Sequence, residues 1–207
     1  MGALADLMDL MAGQHGVAST RQARALGVTR RVERRLIAGG VLLEPTPGVL
    51  QLAGAPSTFV ARAMAATSAP GVVAVSHGAA ARLHGLDGFQ AHDVVDLIAG
   101  RGADPRPARG VVVHRTRGDI AGHVVDVGAV PVLSIGATLA LLAPAAGVRA
   151  TARALDSAIR GGADPADLRD AAQAWRRRGR AGPDALLTLL DRHPAGPAAG
   201  SPESRSL

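Results

Sequence analysis

The chain has 207 residues and a formal net charge of +6, and all 23 of its basic residues are arginines. It has no cysteine, which excludes disulfides, zinc–thiolate sites and cysteine nucleophiles. With two phenylalanines, one tryptophan and no tyrosine, it has almost nothing on which single-stranded bases could stack. The charge therefore favours duplex DNA as a partner, although abundant arginine is also what a GC-rich genome produces.

The N-terminus carries two aspartates and no early basic residue, unlike a signal peptide, and no uncharged run is long enough to span a membrane. We therefore predict a cytoplasmic protein without a membrane partner. The length allows two folded units and a tail.

The N-terminal stretch predicts three short helices. Residues 3–12 repeat apolar side chains at helical spacing, which predicts a scaffold helix. Ser19 or Thr20 is placed to cap a second helix that stops at Gly27. Thr29 is placed to cap a third, over 30–38.

Two short apolar strands, VLLEP and VLQLAG, follow around a Pro/Gly turn. Together with the three helices they predict a winged helix-turn-helix DNA-binding domain over residues 1–54.

The third helix is the candidate recognition helix. Val32 and Leu36 share one face and should pack inward, which leaves Arg30 and Arg34 pointing outward, with Arg35 nearer the buried edge. An arginine fork can donate two hydrogen bonds to guanine O6 and N7. We therefore assign Arg30 and Arg34 to base edges.

The remaining candidate DNA contacts are backbone contacts. Arginine side chains can bind phosphates, and hydroxyls and amides at helix starts can do the same. The alternative is a solvated basic helix face. The candidates are Arg21, Arg24, Arg31 and Arg35, with Thr20 and Thr29.

Residues 57–193 predict a mixed α/β domain. Strand-like runs (VVAVS, DVVDLIA, GVVVHRT) and helix-like stretches alternate up to Ser134, after which the pattern is helical. Asp164 is placed as a helix cap ahead of Pro165. Residues 194–207 predict a flexible tail, so the fold class is α/β of the α+β kind.

Other motifs give no predicted catalytic, metal or cofactor site. His77 and His84 lie two helical turns apart near Asp87, which could mimic a metal pair, but structural histidines explain them better. Ser76 beside His77 could suggest a hydrolase, but adjacent strand residues point to opposite faces. The loop RGADPRPARG has no phosphate-binding ending, and the arginine run 176–180 is read as a solvated helix end or a phosphate contact.

The chain resembles the actinobacterial branch of the AbiEi family of type IV antitoxins, almost from end to end. The resemblance is carried by the helix-turn-helix and by PGVLQLAGAP, SHGAAARLHGLDGF, VVVHRTR, GAVPVLSIGATLALLA, ALDSAIRGG and RRGRAGPDALLTLLD. It implies a winged-helix domain that represses its own operon at inverted repeats and a second domain that antagonises a nucleotidyltransferase toxin.

Relatives of this branch also continue into a nuclease similar to very-short-patch-repair endonucleases, and SPESRSL, with Glu203, looks like its beginning. A metal-dependent nuclease needs several converging carboxylates, and the sequence ends at Leu207. We therefore expect no enzymatic activity.

The chain also departs from the family pattern. Thr46, Pro47 and Leu50 stand where relatives carry basic residues and a tyrosine in the wing, and Ala137 and Leu141 replace an arginine and an aspartate. The toxin-directed role is therefore less well supported than DNA binding.

The predicted function is a sequence-specific repressor that binds its own promoter as a monomer or weak dimer, and acts as the antitoxin of a toxin-antitoxin system. Two alternatives remain: a non-catalytic DNA-targeting module of a truncated nuclease fusion, and a protein-interaction module with a degenerate helix-turn-helix.

Overall fold

The computed structural model describes residues 2–100, 109–116, 120–176 and 181–193. These residues form a mixed α/β structure with two sheets, which confirms the predicted fold class. Our interpretations of the loop at 101–108, the arginine run at 177–180, the tail and Glu203 lie outside the described residues.

The N-terminal part begins with helices and ends on a hairpin. Its three strands form an antiparallel sheet in the order β1-β3-β2. The elements are α1 (Ala3–Gly13), β1 (Val17–Ser19), α2 (Thr20–Ala25), α3 (Arg30–Ala38), β2 (Leu42–Thr46) and β3 (Val49–Leu52).

Side-chain caps fix where α2 and α3 begin. Ser19, not Thr20, caps α2: its hydroxyl accepts from the Gln22 amide, and the Gln22 side chain accepts from the Ser19 amide, which completes a capping box. Thr29 caps α3 as predicted, accepting from the Val32 amide at 3.4 Å. A compact core holds these elements together; its fully buried members include Leu7, Met11, Leu42 and Leu50.

The second part contains a five-stranded sheet in the order β6-β5-β4-β8-β7. The pairs β4/β8 and β5/β6 are parallel, and β4/β5 and β7/β8 are antiparallel. The elements are α4 (Phe59–Thr67), β4 (Val72–Val75), α5 (His77–Leu83), β5 (Val95–Ala99), β6 (Val111–Arg115), a 3-10 turn (Ala121–His123), β7 (Val124–Val127), β8 (Val130–Leu133), α6 (Ile135–Ala146), α7 (Val148–Arg160), α8 (Pro165–Trp175) and α9 (Ala181–Arg192).

Both faces of this sheet are covered. On one face α4 packs through Phe59, in a cluster that also takes in Val17 and Val49 of the N-terminal sheet. On the other face Ile98 and Leu133 belong to the core of the C-terminal helices. The N-terminal part is therefore packed against the second part through α4.

Helices α6 and α8 begin at side-chain caps, of which Asp164 was predicted, and they pack closely. Ser134 caps α6, and Asp164 caps α8 directly before Pro165. A side chain at Gly136 would collide with Ala171, whose Cβ would lie 2.5 Å away. Glycine at this position therefore allows α6 and α8 to approach each other.

Three strands were not predicted. β1 has three residues, too few for a periodic signal. β7 and β8 form a hairpin in which Pro131 pairs with Asp126, although proline is usually confined to sheet edges and β8 lies between β4 and β7.

Candidate nucleic-acid interface

The six candidate arginines all lie exposed on α2 and α3. The arginines that form ion pairs in the described structure lie elsewhere: Arg62, Arg82, Arg160, Arg169 and Arg176. The cations of α2 and α3 are therefore available to an anionic partner.

Helix α3 presents two different faces. Val32 and Leu36 are half-buried against the N-terminal core, while Arg30 and Arg34 are exposed, as the helical wheel predicts. Arg35 is exposed as well. Its long side chain extends into solvent although its backbone lies beside Leu36.

A groove of about 360 Å³ separates α3 from the start of α2 and from the turn between β2 and β3. We call it the arginine groove. It brings together Thr20 and Arg24, which are predicted phosphate contacts, and both predicted base readers. The other predicted DNA contacts, Arg21, Arg31, Arg35 and Thr29, do not line it. Its lining residues are Thr20, Arg24, Arg30, Glu33, Arg34, Ile37, Glu44 and Gly48.

The β2–β3 turn is tied to α2 on the far side of the arginine groove. The Thr20 amide donates to the Gly48 carbonyl at 2.9 Å, and the Gly48 amide donates to the Glu44 carboxylate at 3.0 Å. Gly48 has a φ of +86°, a conformation that glycine adopts at little cost. These bonds tie the turn to the start of α2.

Glu33 is a residue of this groove that the sequence reasoning missed. It is only 6% exposed, and its Oε2 has no hydrogen-bond partner in the described structure. A buried acceptor left without a donor costs about 1–3 kcal/mol. The sequence does contain a signal that could have identified Glu33: it is the acidic residue among the four arginines of α3.

Thr20 and Thr29 occupy the starts of α2 and α3. Thr20 is half-buried at the groove, and Thr29 is exposed, with its hydroxyl oxygen already engaged as the α3 cap. The Thr29 hydroxyl can still donate its proton to a phosphate, because capping uses it only as an acceptor.

A polar cluster lies on the five-stranded sheet, among residues that do not line this groove. Asp96 is 7% exposed. Its carboxylate accepts from His92 at 2.8 Å, from His114 at 3.0 Å and from the Ala79 amide at 3.2 Å. Burial raises the pKa of Asp96, but the hydrogen bonds from the two histidines outweigh it, and the pKa lies below its ordinary value.

The prediction that Ser76 and His77 point to opposite faces is wrong. Strand β4 ends at Val75, and His77 has a φ of +47°, so the alternation of the strand stops before this pair. Ser76 Oγ lies 2.9 Å from His77 Nδ1, and the His77 ring stacks on His114 with centroids 3.8 Å apart.

The His84 ring contacts the end of strand β8. Its Nε2 lies 2.7 Å from the Leu133 carbonyl, and burial lowers its pKa. Asp87 pairs with Arg160 instead, so the suspected His77, His84 and Asp87 grouping does not assemble. Within the described residues, no group of three or more acidic or histidine side chains is placed to hold a metal ion.

No helix in the described part of the chain is long and apolar enough to cross a membrane. No known protein family and no curated protein is similar enough to this chain to match it. Among solved structures, the RV2827C protein from Mycobacterium tuberculosis is 17% identical, over 92% of this chain and 80% of that chain, with a TM-score of 0.37.

Proposed function

We propose that the chain is a sequence-specific repressor that binds duplex DNA through the arginine groove. The observation that carries the proposal is the clustering of Arg24, Arg30 and Arg34 around one groove, exposed and outside the ion pairs of the described structure. Such a concentration of free arginines matches the phosphate charge and guanine edges of DNA.

The order of the elements supports this proposal. A scaffold helix is followed by a short strand, two helices around Gly27 and a hairpin that returns beside the first strand. This is the arrangement expected of a winged helix-turn-helix in which α3 enters the major groove. The hairpin would then be the wing.

In this proposal the arginines divide into two groups. Arg30 and Arg34 read base edges, because they project from the face of α3 opposite Val32 and Leu36. The others, with Thr20 and Thr29, hold phosphates and fix the register of α3 on the duplex. The phosphate-binding arginines are Arg21, Arg24, Arg31 and Arg35.

The biological role we propose is that of an AbiEi-like antitoxin, with no catalysis of its own. The N-terminal part would repress the chain's own operon at inverted repeats, and the second part would antagonise a nucleotidyltransferase toxin. A working operator with inverted repeats suits a weak dimer or two adjacent monomers.

The test is a salt titration of binding to the chain's own promoter fragment and to a shuffled duplex of equal length. We compare the wild type with an Arg30→Ala/Arg34→Ala variant. The matched control is Arg149→Ala/Arg192→Ala, which removes two exposed arginines from the second part.

We expect the wild type and the control to prefer the promoter. The groove variant should lose the preference but keep weak, salt-sensitive binding through its phosphate contacts. If the wild type shows no preference, the repressor proposal is wrong. If both double variants weaken binding equally, only net charge matters and α3 does not read bases.

A further inference from the structure

Glu33 combines two features that oppose each other. It is a carboxylate buried in the floor of a groove lined by three arginines, yet Oε2 accepts no hydrogen bond. Buried polar groups are nearly always paired, and an exception calls for an explanation. A donor that reaches this oxygen when the groove is occupied would account for it.

Helix geometry identifies a suitable donor on α3 itself. Arg30 and Glu33 are three residues apart on α3, a spacing that places their side chains side by side, whereas Arg34, the next residue after Glu33, lies about 100° further round the helix. Both Arg30 and Glu33 line the arginine groove. Arg30 is therefore the arginine of α3 that can reach Glu33 along the helix surface.

The guanidinium group can serve two acceptors at once. It carries five N–H donors in a rigid plane, so one edge can bind a carboxylate while another faces guanine O6 and N7. A duplex over the groove also displaces water, which strengthens the attraction between Glu33 and an arginine.

We propose that Glu33 is a positioning residue for DNA recognition: on the duplex its carboxylate accepts N–H donors from Arg30 and aims that guanidinium at one base pair. The inference rests on the proposed DNA-binding function. Glu33 itself touches no base, and its contribution is to discrimination rather than to affinity.

Glu44 supplies a matched control. It is the other carboxylate of the same groove, but it is already committed to the Gly48 amide. A glutamine at either position removes one negative charge facing the DNA and keeps the side-chain volume. A glutamine at 44 also keeps an oxygen for Gly48.

The experiment measures Kd for the promoter fragment and the shuffled duplex at one salt concentration. It uses the full chain as wild type, Glu33→Gln, Glu44→Gln, Arg30→Ala and the Glu33→Gln/Arg30→Ala double variant. Thermal unfolding of each variant checks that it is folded before binding is compared.

We expect Glu33→Gln to lower the promoter preference on the order of tenfold, close to the effect of Arg30→Ala, because both disturb one base contact. The double variant should lose no more than either single variant. Glu44→Gln should tighten binding to both duplexes and leave their ratio unchanged.

Three results would overturn the inference. Glu33→Gln could keep the wild-type preference, or its loss could simply add to that of Arg30→Ala, or Glu44→Gln could lower the preference equally. In each case the wild type still prefers its promoter, so the proposed function survives. A wild type without preference removes both proposals, and the two failures are thus distinguishable.

Discussion

The arginine groove and the Asp96 cluster use charge in opposite ways. In the groove, three exposed arginines and the buried Glu33 leave donors and an acceptor unmatched. In the cluster, the Asp96 carboxylate accepts from two histidines and a backbone amide. Polar groups that are hydrogen-bonded within the protein stabilise the fold, whereas unpaired ones are available to a partner. Mutations in the Asp96 cluster should therefore change stability, and mutations in the arginine groove should change DNA binding.

The largest expected effect is on stability, from Asp96→Ala. The change leaves His92, His114 and the Ala79 amide without their shared acceptor, which should lower the free energy of unfolding by about 2–4 kcal/mol. Chemical denaturation measures it. Asp93→Ala is the control: Asp93 pairs with Arg62 at the surface, with its side chain 70% exposed, and its loss should leave the unfolding midpoint unchanged. Equal effects of the two substitutions would show that the cluster is not the stronger network.

The second effect concerns the scaffold of the arginine groove. Ser19→Ala removes the capping box of α2 and should lower the free energy of unfolding by about 1 kcal/mol. Thr29→Ala should cost less, because its cap bond is long, at 3.4 Å, and exposed. Denaturation of both variants gives the comparison, and a larger loss at Thr29 would contradict it.

How much of the fold and of the candidate site could be predicted from the sequence depends on how far apart along the chain the interacting residues lie. Thr29 and Asp164 act as caps within three residues, and both were predicted. The bond between Asp96 and His114 joins two strands eighteen residues apart, and it appears only once β5 and β6 pair. The burial of Glu33 likewise depends on how α3 packs against the rest of the N-terminal part, which no helical wheel contains.

The third prediction is a pH dependence located in the second part. Burial lowers the pKa of His84 below 6.5, so below that pH the unfolded chain binds a proton more readily than the folded chain. The free energy of unfolding should therefore fall as the pH drops from 7.5 to about 5.5. Asp96, with its lowered pKa, keeps its contribution above pH 3.8 and loses it only as the pH falls further.

His84→Gln is the variant for this test. Glutamine can still donate to the Leu133 carbonyl but does not titrate, so its stability should vary less over the same pH interval. Denaturation at several pH values measures the slope. A variant with the full wild-type slope would place the proton uptake at another group.

The smallest expected effect separates phosphate contacts from base contacts. Arg21 lies on α2, exposed and outside the arginine groove, where we assign it to a phosphate. Arg21→Ala should weaken binding to promoter and shuffled duplex by the same factor and reduce the slope of log Kd against log salt by about 0.9. Arg30→Ala should change the ratio between the duplexes instead, because a base contact carries the sequence information. A change of that ratio in Arg21→Ala would mean that α2 also reads sequence, and the division between the two helices would have to be redrawn.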